Sequence, residues 1–295
     1  MKRFIEFVKS TWSLQLQDFI NFVHCFDRFK DPDPRVNKYA KELRKTGIIT
    51  IENFTSPKEC EEIRENILEL AGRYTSTTRL DNGTYFDYRS EKNNSGADHG
   101  MIDIYNIDRT IEKVNNIDVS FVYRILEATV GGQQIHLPRI NAYVNRGITG
   151  TRVYHIDNTQ PVIYKAFIYL TDVNDESYGP YAIVKGTQRF SPYVYWNLFR
   201  NLFLPKYRIP DMPVYNKKNA MHVTGKKGTL ILSNQNAIHR GLPQAPGKER
   251  IALVYSFFIV SRLSYLHRSF RDILEEANAA PNRRNAPPVS TAASG

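Results

Sequence analysis

The 295-residue chain is poor in the features that anchor or cross-link proteins: it has two cysteines, no apolar run long enough to span a membrane and no block of basic residues. Cys25 and Cys60 lie far apart and neither has a CxxC partner, which argues against a disulfide framework or a cysteine-based zinc site and fits a reducing, cytoplasmic setting. A membrane-spanning helix needs roughly 18 or more apolar residues in a row, and none is found. After Met1-Lys2-Arg3, the residues Glu6, Lys9 and Asp18 interrupt the apolar pattern that a signal peptide would require. The net charge of +10 comes without a basic arm or a reading motif, so nucleic acid is not an expected partner. What is present is ordinary in proportion: 41% hydrophobic and 24% charged residues can supply a sizeable buried core.

Within residues 1–46, Phe4, Phe7, Val8, Trp12, Leu16, Phe19, Ile20 and Val23 recur at helical spacing, predicting an amphipathic helical segment packed on the core; contact with a membrane surface is the less favoured reading. Asp31-Pro32-Asp33-Pro34 breaks that pattern. Residues 47–54 read as a strand, and Ser56, Pro57 and Glu59 form a capping box for a following helix. Residues 75–100 are turn-rich. From about residue 135 onward, β-branched and aromatic runs at 139–144, 162–170, 181–184, 228–233 and 250–260 predict an antiparallel jelly roll. The fold class is thus mainly β with flanking helices, and the main domain spans 47–277. An aromatic-rich insertion at 190–221, containing Trp196, is read by preference as a lid over a substrate, with a dimer contact or a membrane-surface contact as the alternatives. The tail at 278–295, rich in Ala, Pro, Ser and Asn, is expected to be disordered.

In Tyr154-His155-Ile156-Asp157 the histidine and the aspartate are two residues apart, so an extended backbone turns both side chains to one face. His239 follows a later strand and can complete a set of two histidines and one carboxylate, the facial arrangement that suits iron(II) and leaves three positions open. Arg250 lies eleven residues further on, at the start of the next strand. There its guanidinium could pair with the distal carboxylate of a bound 2-oxoacid.

His155-x-Asp157, His239 and Arg250, in this order, resemble the phytanoyl-CoA dioxygenase (PhyH-like) family, which includes ectoine hydroxylases. The likeness covers roughly residues 47–260. Gly47-Ile48-Ile49-Thr50-Ile51-Glu52-Asn53-Phe54 resembles the family's opening strand. Residues 181–188 resemble its strand ending in Pro-Gly-Ser-His, with Lys185, Thr187 and Gln188 replacing Pro, Ser and His. The resemblance implies a double-stranded β-helix (cupin-like) core, iron(II) held by His155, Asp157 and His239, and O2 and 2-oxoglutarate as cosubstrates. Arg250 would anchor the C5-carboxylate, Asn141 would contact 2-oxoglutarate, and Lys165 would contact either the cosubstrate or a substrate acid. Asp157 stands where halogenating relatives carry a small residue, so halogenation is disfavoured.

Arg139, Asn141 and Tyr143 alternate onto one face, and with His99 and Trp196 they are candidate substrate residues. The other histidines, His24, His136, His222 and His267, have no partner at ligand spacing and read as structural. The leading function is oxidation of a small molecule, free or carrier-linked, by a monomer or homodimer. Two alternatives stay open: a non-catalytic metal-binding jelly roll used for sensing, and a cupin-like metalloenzyme that does not use 2-oxoglutarate.

Overall fold

The computed structural model describes residues 30–90, 98–131, 133–157, 162–188 and 220–260. The apolar pattern expected between residues 4 and 23, residues 190–219 of the insertion with Trp196, and the tail at 278–295 lie outside the described residues.

The Asp-Pro-Asp-Pro sequence that breaks the first pattern also starts a helix, α1 (Pro34–Thr46). Asp33 caps it by accepting from Arg35 N–H, and Pro34 occupies the first turn, where no N–H is required. Gly47 ends it at φ 81°, donating its N–H to Leu43 O, and the chain passes directly into β1 (Ile48–Ile51). The next helix, α2 (Pro57–Arg73), carries both halves of the predicted capping box between Ser56 and Glu59. Two short strands, β2 (Thr78–Arg79) and β3 (Tyr85–Tyr88), lead to β4 (Ile102–Tyr105). A helix the sequence pattern does not announce, α3 (Ser120–Val130), then precedes β5 (Gln134–Arg146). Its apolar residues, among them Val122, Ile125 and Leu126, are buried while Ser120, Arg124 and Glu127 face outward, and its N-cap, Val119, makes no side-chain capping bond.

The remaining strands are β6 (Val162–Tyr169), β7 (Tyr181–Val184), β8 (Ala220–Val223), β9 (Leu230–Asn234), β10 (His239–Gly241) and β11 (Glu249–Val260). They form an eight-stranded sheet in the order β1-β9-β6-β11-β5-β4-β3-β2 and a three-stranded sheet in the order β10-β7-β8, with every pairing antiparallel. Two sheets wound in this way make the expected double-stranded β-helix.

Alternation along the strands divides the large sheet into two faces. One carries Ile49, Ala142, Ala166, Ile168, Leu232 and Leu253, which pack with Leu43 of α1, Ile63 of α2 and Leu126 of α3. The other carries Phe167, Ile231 and Val254 and meets Tyr181 and Ile183 of the small sheet. Glycine is required at 228, where φ is 88° and a Cβ would come within 2.2 Å of Thr55 O. Ser56→Ala should destabilise the protein by about 1 kcal/mol through loss of the α2 cap, and Ser56→Gly by only a few tenths. Urea unfolding of the two variants against wild type measures the difference.

Candidate metal centre

His155, Asp157 and His239, the first residue of β10, form the centre. His155 does not sit in a regular strand. It makes an isolated antiparallel bridge with His239, through His155 N–H to His239 O (3.0 Å) and His239 N–H to His155 O (2.8 Å). Asp157 N–H continues the pairing by donating to Gln235 O at 3.1 Å. This extended backbone turns His155 and Asp157 to the same side, and the bridge brings His239 opposite them. One ligand atom from each of the three residues lies within 4.8 Å of the others.

The ring orientations leave the metal-facing atoms bare. Nδ1 of His155 is 2.8 Å from Val153 O, and Nδ1 of His239 is 2.8 Å from Ala237 O, so each ring uses Nδ1–H as a donor and leaves Nε2 as an acceptor. The two Nε2 atoms lie 3.6 and 3.8 Å from the same carboxylate oxygen, Asp157 Oδ1. His155 Nε2 is buried and has no hydrogen-bond partner, a costly state for a polar atom and the one a metal ion relieves. Burial, reinforced by the neighbouring His155, pushes the His239 imidazole down to about 3. Burial and the nearby Arg152 lower His155 as well. Burial opposes ionisation of Asp157, but Lys165 and the two imidazoles outweigh it and hold the carboxyl well below its ordinary range. Two neutral imidazoles and an ionised carboxylate are therefore in place at neutral pH, a donor set that fits iron(II).

Lys165, on β6, places Nζ 3.0 Å from Asp157 Oδ2. Its side chain and that of Asp157 are each 19% exposed. Arg250 opens β11 opposite Asn145, donates to Gly179 O and lies over Gly241, where a Cβ would stand 3.3 Å from Nη2. Among the described residues no carboxylate lies within ion-pair distance of it, and burial pushes its pKa down. Asn141 is buried, and its Oδ1 accepts from Asn106 N–H at 3.3 Å. The register places Arg139, Asn141 and Tyr143 on the same face as Lys165. The Tyr143 ring lies 6.5 Å from that of Phe167. His99 is exposed in the turn at residues 98–100.

Several residues beside the centre carry no spacing signal. Arg152 donates to Asp98 at 2.9 Å, Arg89 donates to the same Asp98 oxygen at 2.7 Å, and Arg89 also pairs with fully buried Asp103. This chain of charges ties the segment before His155 to β3 and β4. The one hint in sequence is Asp103 itself, a charge between Ile102 and Ile104 in a strand. Thr187 accepts from Ile238 N–H at 2.8 Å and donates to Val184 O at 2.7 Å, so the turn after β7 holds the residue next to His239.

The sequence profile of the phytanoyl-CoA dioxygenase (PhyH) family matches residues 43–252. The chain belongs to this family. As a member it is an iron(II)- and 2-oxoglutarate-dependent dioxygenase, and its triad is the donor set such an enzyme needs. Comparison with curated protein sequences gives no match. Among solved structures it is similar to EctD from S. alaskensis with 2-oxoglutarate and 5-hydroxyectoine, with 14% identity, a TM-score of 0.57 and 80% of each chain covered. It is also similar to the carbocyclase SnoK of nogalamycin biosynthesis, with 15% identity, a TM-score of 0.54 and 75% of this chain and 83% of that chain covered. HygX from Streptomyces hygroscopicus, with nickel and 2-oxoglutarate bound, gives 12% identity, a TM-score of 0.51 and coverage of 75% and 86%. At these identities the likeness is one of fold.

Both imidazoles titrate lower in the folded protein than in the unfolded chain, so the unfolded chain takes up protons first as pH falls. Their contribution to the stability of the metal-free protein is complete above about pH 6.5 and is lost as pH falls toward the folded values. His239→Gln should remove on the order of 2 kcal/mol of the loss between pH 7 and 5. Urea unfolding of chelator-treated wild type and variant at the two pH values checks this; parallel losses would contradict it.

Proposed function

We propose that this dioxygenase oxidises a small-molecule substrate by hydroxylation, or by the related desaturation or cyclisation. For hydroxylation the balance is substrate plus 2-oxoglutarate plus O2 giving hydroxylated substrate, succinate and CO2. The observation that carries the assignment of roles is the converging triad together with a half-buried arginine that has no carboxylate partner among the described residues.

His155 and His239 would hold iron through Nε2, and Asp157 through a carboxylate oxygen. When bound, the metal supplies oxygen activation coupled to oxidative loss of CO2 from the cosubstrate. Arg250 would clamp the C5-carboxylate of 2-oxoglutarate. A shielded guanidinium without a counter-ion is costly, and a bidentate carboxylate offsets that cost. Asn141 is the proposed neutral contact to the same cosubstrate. Arg139 and Tyr143, on the metal face of β5, are proposed substrate residues, with His99 at the edge and Trp196 of the 190–221 insertion as a covering group. The cationic excess suits an acidic or carrier-linked substrate.

Arg250→Ala should weaken 2-oxoglutarate binding by about 30-fold or more, as truncation of a shielded charge pair does, and leave metal affinity within about twofold. Calorimetric titration of metal into the metal-free protein, and then of 2-oxoglutarate into the loaded protein, reads the two quantities. Unchanged 2-oxoglutarate affinity would show that Arg250 is not the carboxylate anchor. In wild type, 2-oxoglutarate turnover should release succinate, whereas metal binding without any succinate would point to a sensing or binding protein.

A further inference from the structure

Lys165 stands in the middle of a strand buried on both sides, a position where a charge needs a reason. Its cross-strand neighbours on the same face are Ser233 of β9 and Ser256 of β11, both small and buried. The two serines leave room for the aliphatic stem, and the ammonium ends 3.0 Å from Asp157 Oδ2. The other oxygen, Oδ1, faces Nε2 of both histidines at 3.6 and 3.8 Å. The two oxygens of Asp157 are thus divided, one for the lysine and one for the histidine side.

This division bears on how many metal positions stay open. A carboxylate can ligate a metal through one oxygen or through both, and the second mode takes an additional position. Three positions remain when each of the three protein ligands gives one atom. A 2-oxoacid chelating through two atoms needs two of them, and O2 needs the third.

On the iron-binding reading given above, we infer that Lys165 is a positioning residue that holds Asp157 to one-oxygen ligation and so keeps the third position free. Its loss frees Oδ2 to swing onto the metal. The effect on catalysis is indirect, since the lysine touches the ligand rather than the reacting atoms.

The test uses the full chain, stripped of metal and loaded with Mn(II) alone, and measures water-proton relaxation per bound ion. Lys165→Met and Lys165→Thr should each lower the inner-sphere relaxivity by about one third, as three open positions fall to two. Thr is included because it is small and polar between two serines and so keeps the fold should Met disturb it. Circular dichroism of both variants verifies the fold, and a purely structural role would change thermal stability without changing relaxivity. Unchanged relaxivity in both variants overturns the inference, and if 2-oxoglutarate binding weakens at the same time the lysine is a cosubstrate contact instead. Failure of wild type to bind Mn(II), with no competition by Fe(II), would sink the metal-site reading itself, a result distinguishable from a change confined to the variants.

Discussion

Two main-chain hydrogen bonds, from each of His155 and His239 to the other, close the structure around its chemistry. The rest of the centre follows from them. They set the spacing of the imidazoles, whose ring centroids lie 4.6 Å apart, and they align the stretch from residue 235 to 239 with that from 155 to 157. The bond that Val184 N–H donates to Ile238 O, the Thr187 hydroxyl and the Arg152–Asp98 pair hold the two strips from outside. Main-chain pairing fixes where the three side chains start, and the bonds from each Nδ1 to a carbonyl and from Lys165 to Asp157 then set the directions of the ligand atoms. It also requires both sheets to be assembled, since residues 155 and 239 lie far apart in sequence.

The cost of placing charge inside the barrel is met case by case. Asp157 faces Lys165, Asp103 and Asp98 share Arg89, and Asp98 also takes Arg152. Each of these pairs trades hydration for a short ionic hydrogen bond. Arg250 differs. Its recorded partner is the carbonyl of Gly179, and it has no carboxylate among the described residues. A shielded guanidinium held by a carbonyl is the physical reason to look for an anion from outside.

How much of this was legible in the sequence depended on locality. The strands at 162–170, 181–184 and 250–260 were readable because β-branched and aromatic residues ran between turn formers, and the start of α2 was readable because Ser56 and Glu59 are three apart. His155 and Asp157 could be placed on one face from their spacing alone, although the extended backbone there turned out to be a single bridge rather than a strand. Their meeting with His239 needed the family pattern, since no local rule joins residues that distant. The helix α3 was missed because its start carries no capping signal, Val119 making no side-chain bond, although Ser120, Arg124 and Glu127 do share a polar side. The Arg89–Asp103–Asp98–Arg152 chain was missed because its members come from three separate stretches and share no periodicity.

The alternation of the central strands means that two different tasks are written on interleaved letters of the same segments. On β5 and β6, residues 139, 141, 143 and 165 share the face that meets the small sheet, whereas 140, 142, 144, 166 and 168 look toward the helices and make the hydrophobic core. A family built this way can rewrite the even or the odd letters separately. The inward positions can change without touching the layer that holds the helices, so one scaffold keeps its fold at identities as low as 12 to 15%.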